Sequence, residues 1–263
     1  MKVVAINVEH LSRSFFYFDI PVNYKLDDNN LIDIYPISIK DSEIFLSSVD
    51  ILNIDKNSFP DVKIIQMSYL QFIIEVLCQT NKVNMQKFIN ILVLCLKLTK
   101  PKICFDEKNK IFLFDDEKKC KINSKNFEDI RRIILYQNIP NFDDEYINPE
   151  LKKAMMETDI LKNKNIVVPN LERKIAIITA HTGISKKEQL DMTYRSHSLL
   201  FKEICEEIEY VTARPVALYI GSADKMEQWI YKTKKNKMDG YITSVEDFNK
   251  SMGGTGAVKS TII

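Results

Sequence analysis

The first 182 residues contain no glycine. The six that exist, Gly183, Gly221, Gly240, Gly253, Gly254 and Gly256, all lie in the last third of the chain. Glycine lets a backbone approach a phosphate closely and turn at positive φ, so dinucleotide and phosphate loops are built on it. Residues 1–182 therefore exclude a glycine-built Rossmann or phosphate loop. The ending "GGTGAVKSTII" has glycines, a lysine and a hydroxyl residue, but not in a phosphate-binding order. Val258 rather than glycine precedes Lys259, and no helix can follow to present its N-terminus to an anion. The ending reads as a flexible tail, and no nucleotide hydrolysis is expected.

Composition narrows the classes further. At 263 residues and 45% hydrophobic, the chain can bury a sizeable core and is expected to hold two compact units. Lys+Arg of 37 balances Asp+Glu of 36, without the basic excess of a typical nucleic-acid binder. Only six of the cations are arginines, which leaves few bidentate phosphate clamps. The lysine-, asparagine- and isoleucine-rich bias suggests an AT-rich coding genome. Cys78, Cys95, Cys104, Cys120 and Cys205 show no metal-ligand or CxxC spacing. Cys78 and Cys95, inside apolar runs, read as buried free thiols in a reducing compartment. The N-terminus lacks a continuous apolar stretch and a cleavage site. "FIIEVLC" and "FINILVLCLKL" fall short of the roughly 20 residues a bilayer span needs. A soluble protein, intracellular when made, is expected.

Along the chain, "SFFYFDIPVNYKLDDNNLIDIYPISI" carries two strand-like runs around a turn-forming tetrad, and predicts a β-hairpin. Asp41 is placed to cap a helix over "SEIFLSSVDIL", with Ile44, Leu46, Val49 and Leu52 as its apolar positions. "NIDKNSFPDVKI" reads as a loop. Two apolar helices follow, "MSYLQFIIEVLCQT" and "NMQKFINILVLCLKLT", then a meander of short strands over "KICFDEKNKIFLFDDEKKCKI". "NSKNFEDIRRIILYQN" predicts an amphipathic helix through Phe127, Ile130, Ile133 and Ile134. Asn148-Pro149 opens another helix. Asn170 caps "LERKIAIITAHT", which ends at Gly183, and Ser185 with Glu188 forms a capping box. A long helix over "YRSHSLLFKEICEEIEYVTA" and a short terminal one after Ser244 complete the reading. The expected fold class is α+β. A mixed N-terminal domain spans 1–122, a helical domain 123–222, and a docking segment with a tail 223–263.

Candidate chemistry is sparse. Of the histidines His10, His181 and His197, His181 sits in a last helical turn, where an imidazole suits the negative dipole end. A structural or surface role is expected for His181 and His197. Ser196, His197 and Ser198 place a hydroxyl beside a base, but adjacent helical positions point about 100° apart. Asp143, Asp144 and Glu145 lack the alternating ligands and glycine of a calcium loop, and read as a solvated connector. Lys232, Lys234, Lys235 and Lys237 lie beside Trp229 and Tyr231, a combination able to grip single-stranded nucleic acid. Without arginine it reads as a solvated loop. No catalytic, cofactor or metal residues are expected. Trp229, the one tryptophan, lies with Met226 and Tyr231 in a short run that reads as a partner-binding segment, the alternative being that Trp229 closes the core of the helical unit.

"YPISIKDSEIFLSSVDIL" resembles the start of tailed-bacteriophage baseplate-hub assembly and tail-assembly proteins, where a short hairpin leads into a helix opening with Lys-Asp. "DIRRIILYQNIPNFDDEYINPELKKAMMETDILKNKNI", "LERKIAIITAHTGISKKEQLDMTYRSHSLLFKEI" and "MEQWIYKTKK" are similar to later parts of virion structural proteins from phages of Gram-positive hosts. The likeness touches most of residues 30–252, through loosely specific motifs. It implies a non-enzymatic tail or baseplate component, or a tail-assembly chaperone, found in the virion tail or in host cytoplasm during assembly. The implied partners are the baseplate hub, tape measure or tail tube, or further copies of the chain within a tail. Membranes, nucleic acid and cofactors are not among them. The alternative is a nucleic-acid-binding accessory protein, or an enzyme whose site is assembled from scattered residues.

Overall fold

Asp27 and Asn30 close the first turn. Both Asp27 carboxylate oxygens accept from Asn30, one from its backbone N–H at 2.9 Å and one from its amide at 2.8 Å. Strands β1 (Val22–Lys25) and β2 (Leu31–Ile34) leave this turn as an antiparallel pair, Val22 opposite Ile34. Alternate side chains point to one face, so Val22, Tyr24, Ile32 and Ile34 are buried together. The computed structural model describes residues 18–27, 30–107, 110–140, 142, 149–162, 167–226 and 229–230. Its fold is α+β.

After a 3₁₀ turn at Ile39–Asp41 comes α1 (Ser42–Ser48), which tightens into a second 3₁₀ turn at Val49–Leu52. Asp41 holds the cap position without capping; its carboxylate accepts from Ser38 Oγ at 3.0 Å. The expected apolar face is corrected as well. Phe45, Val49, Ile51 and Leu52 are buried, whereas Ile44 and Leu46 face solvent. The stretch read as a loop contains a 3₁₀ turn (Lys56–Ser58) and a short helix α2 (Val62–Gln66). Asp55 caps the first by accepting from Asn57 N, and Asp61 caps the second by accepting from Lys63 N.

The two apolar helices stand as read, with one irregularity. Between α3 (Tyr69–Gln71) and α4 (Cys78–Thr80) the chain makes a π-helical turn, Phe72–Leu77. The wider turn lies within a run whose Phe72, Ile73, Ile74 and Leu77 are all buried. Helix α5 (Lys82–Leu96) ends on Lys97 in the left-handed conformation, φ 52°. Asp19 and Lys119 also take positive φ, at 56° and 49°. A chain without glycine in this region places ordinary residues where glycine costs least, at about 1–2 kcal/mol each.

Strands β3 (Pro101–Phe105), β4 (Ile111–Asp115) and β5 (Cys120–Asn123) form the antiparallel meander. Asp115, wholly buried, ties its end together. One carboxylate oxygen accepts from Thr99 N and Lys100 N at 3.1 and 3.0 Å, the other from Glu117 N and Lys118 N at 3.1 and 2.9 Å.

β5 runs directly into α6 (Ser124–Asn138), capped by Asn123, whose side chain accepts from Lys125 N and Asn126 N. Phe127, Ile130, Ile133 and Ile134 are buried as predicted, and Phe127 meets Phe88 of α5 edge to face at 5.7 Å. Polar side chains of α6 hold the first hairpin. Asn126 Nδ2 donates to Leu26 O at 3.0 Å, and Asn138 Oδ1 accepts from Ile37 N at 2.7 Å. Tyr24 Oη donates to Asp129 at 2.7 Å. Helix α6 thus belongs to the core of the preceding strands and helices, and the chain does not part at residue 122.

The division into compact units falls elsewhere: residues 1–145 with 169–206, and residues 146–168 with 207–263. In the first unit, Asn170 caps α8 (Leu171–Thr182), Gly183 ends it at φ 78°, and Ser185 and Glu188 form the capping box of α9 (Lys186–Asp191). Helix α10 (Tyr194–Tyr219) is longer than predicted, running through Pro215. Gly221, at φ 69°, closes it in a Schellman arrangement: Ser222 N donates to Ala217 O at 2.8 Å and Gly221 N to Leu218 O at 3.2 Å. The boundary between units lies within α10. The second unit also contains α7 (Pro149–Lys162), whose expected cap Asn148 lies outside the described residues.

Candidate functional site

In the first unit, residues 37–39 run antiparallel beside 192–194. Ile39 N donates to Met192 O at 2.9 Å, and Tyr194 N to Ile37 O at 2.7 Å. Side chains reinforce the seam. Asp19 accepts from Thr193 Oγ1 at 2.6 Å and, with both oxygens, from Ser196 Oγ at 3.0 Å. Arg195 Nη1 donates to Tyr136 O at 2.9 Å. This docks α8, α9 and the start of α10 against α1 and opens a hollow between them.

The hollow, about 310 Å³, is lined on one wall by Ser42, Glu43 and Leu46 and on the other by Leu171, Lys174 and Tyr194. His197 and Ser198 also line it. A second hollow of about 360 Å³ shares Leu171 and continues over Ile175 and Leu190, with Glu172 and Lys186 at its sides. The walls are apolar and partly exposed: Leu46 is 44% accessible, Leu171 38% and Leu190 42%. Charges of both signs stand around them.

His197 is the one buried imidazole among the described residues. Its Nε2 lies 3.1 Å from Gln189 Oε1. Gln189 is held by its amide nitrogen, which faces Thr179 Oγ1 at 2.9 Å and the Ile175 and Ile184 carbonyls at 3.2 Å. Gln189 Oε1 can therefore only accept, and His197 carries its proton on Nε2. Burial, and then the nearby Lys174 charge, push the His197 pKa below its ordinary value, so the ring is neutral. It is a satisfied core histidine. Ser196 turns to Asp19 and His197 to Gln189, so the two adjacent side chains do not face each other.

Other sequence candidates fall as follows. His181 stands exposed in the last turn of α8. Cys78 and Cys95 are buried free thiols, and burial raises both pKa values, Cys78 to about 11. Met226 and Trp229 are half-buried, just after a 3₁₀ turn at Ala223–Lys225 and in a following bend. Tyr231 lies outside the described residues, as do His10, the Asp143–Glu145 triplet, the lysines at 232, 234, 235 and 237, Ser244, and the tail from Gly253. Among the described residues there is no cluster of His, Cys, Asp or Glu fit to hold a metal. Nor is any helix there long and apolar enough to cross a membrane.

Sequence reasoning missed the double hollow, because its walls come from residues 42–46 and 171–198. The available signal was Leu46, an apolar residue left over on α1 once Phe45 is seen as the buried one. No family model, curated protein or solved structure matches the chain.

Proposed function

We propose that the protein acts without catalysis, through protein–protein contacts, as a phage tail or baseplate component or a tail-assembly chaperone. The observation that supports the contact reading is the pair of adjoining hollows. Apolar walls bordered by Glu43, Lys174, Glu172 and Lys186 suit an amphipathic segment of another protein. The one buried ionisable group at their floor is already hydrogen-bonded and neutral. The tail assignment comes from the resemblance of "YPISIKDSEIFLSSVDIL" and the later segments to tail-assembly and virion proteins. On this reading the partner is the baseplate hub, the tape measure or the tail tube, and Met226, Trp229 and Tyr231 supply a second contact.

Quantitative mass spectrometry of purified virions and of tail intermediates from infected cells tests the assignment. A component appears in both at fixed stoichiometry, and a chaperone only in intermediates. Absence from both, with recovery alongside replication proteins instead, would favour the nucleic-acid accessory alternative.

A further inference from the structure

The even balance of charge over the whole chain hides a local one. Residues 97–125 hold nine lysines against five acids, and the rest of the chain is slightly acidic. Much of this excess lies on the β3–β5 meander. Directly opposed residues of an antiparallel sheet share a face. Lys102, Phe114 and Lys121 thus form one cross-strand row, and Cys104, Phe112 and Asn123 the next. Alternation sends Ile111, Leu113 and Ile122 to the other face, into the core. The outer face therefore has an aromatic centre with an exposed lysine on either flank, and exposed Lys110 lies two residues before Phe112. Phe112 and Phe114 are half-buried and stand outside the core cluster. Lys121 Nζ lies 4.0 Å from the centre of the Phe112 ring, so an exposed side chain reaches the flat of that ring. The acids nearby are engaged, Asp116 with Lys102 and Asp106 with Lys110 N at 2.7 Å.

We infer that this outer sheet face binds single-stranded nucleic acid. Its charge selects a polyanion, and its rings select one that offers flat faces. Phe112 and Phe114 stand about 6.8 Å apart along the strand, room for a base on each ring. Lys102, Lys110 and Lys121 surround them as contacts for the phosphates. Lys102 would exchange Asp116, and Lys121 the Phe112 ring, for phosphate, and such exposed contacts cost little to give up. A duplex stacks its base faces away from the rings. An acidic protein segment would meet the lysines and leave the rings without a partner. Lysines act as point charges without a bidentate fork, so little sequence preference is expected. The face shares no residue with the double hollow, so the inference stands apart from the tail-assembly reading and survives its failure.

Fluorescence anisotropy of the full chain over a salt series provides the test. The probe is labelled oligothymidylate about 20 nucleotides long, more than one such site covers, with oligouridylate of equal length beside it. Either strand should bind at low salt, and the tighter one tells DNA from RNA. Affinity should fall linearly with salt on logarithmic axes, and Lys102→Gln and Lys121→Gln should each reduce the slope by about 0.7. Phe112→Leu with Phe114→Leu keeps apolar bulk but removes the flat faces. This pair should weaken binding about tenfold or more at unchanged slope. Circular dichroism checks that each variant keeps its fold, and the two lysine variants, at exposed positions, carry the test if the leucine pair does not. No binding of either strand at low salt would overturn the inference, as would an affinity indifferent to the phenylalanines and a slope indifferent to the lysines. So would binding that is lost instead on replacing Lys232, Lys234, Lys235 and Lys237. Competition by polyglutamate as strong as by unlabelled strand would overturn it in favour of an acidic protein partner.

Discussion

Asp115 is buried with no cation beside it among the described residues, and what keeps it charged is backbone. Burial pushes its carboxyl up, but N–H groups of Lys118, Lys100, Thr99 and Glu117 outweigh that and hold its pKa below the ordinary carboxylate range. Asp115→Asn keeps the shape but turns one acceptor into a donor facing two N–H groups. The variant should lose about 2–4 kcal/mol of unfolding free energy at neutral pH, measured by urea denaturation. Because the folded pKa is depressed, this stabilisation is complete above the unfolded value of about 4 and fades as pH falls through the folded one. The gap between wild type and variant should therefore narrow only below about pH 4. A gap constant down to pH 2, or already closing near pH 6, would contradict the assignment. Asp115 could not have been picked out from the sequence. In "FLFDDEKK" it is one of two adjacent aspartates, and only the strand register turns one inward and leaves Asp116 outside. By contrast Asn123, Asn170, Ser185 with Glu188, and Gly183 were legible, since a cap bonds within four residues of itself.

Elements were legible where their periodicity was long and misread where a breaker residue dominated. In "NIDKNSFPDVKI" Asn57, Pro60 and Asp61 signal turns, and the five residues of α2 are too few to show a period. In α10 Pro215 invited an early end, yet the helix continues to Tyr219. Proline there withdraws the N–H that would bond Val211 O and costs about 3 kcal/mol against alanine. Pro215 is exposed, so no packing offsets that cost. Pro215→Ala should firm the second half of α10: amide exchange across residues 207–219 should slow roughly tenfold or more in hydrogen–deuterium experiments. Unchanged or faster exchange would mean that the proline fits a conformation alanine does not improve.

At the level of the whole molecule, the lesson lies in chain order. Reading along the sequence suggests consecutive blocks, but the first unit is assembled from 1–145 and 169–206, and the second from the intervening and final stretches. Seams such as Ile39 with Met192, and Asp19 with Ser196, join residues more than 150 positions apart. No local pattern announces such pairs, and the double hollow depends on them. If that hollow and the Trp229 segment are docking surfaces, binding should be separable from folding. The most direct measurement is the affinity of purified baseplate hub, tape-measure and tail-tube proteins for the wild-type chain, for Leu46→Asp/Leu171→Asp and for Trp229→Ala, by titration calorimetry beside thermal melts. One of the three proteins should bind the wild type. Leu46 and Leu171 are partly exposed, so their double replacement should leave the melting temperature within a few degrees and weaken binding about tenfold or more. Trp229→Ala should weaken the same complex without unfolding the chain. Binding of none of the three, or binding that all variants retain in full, would contradict the account.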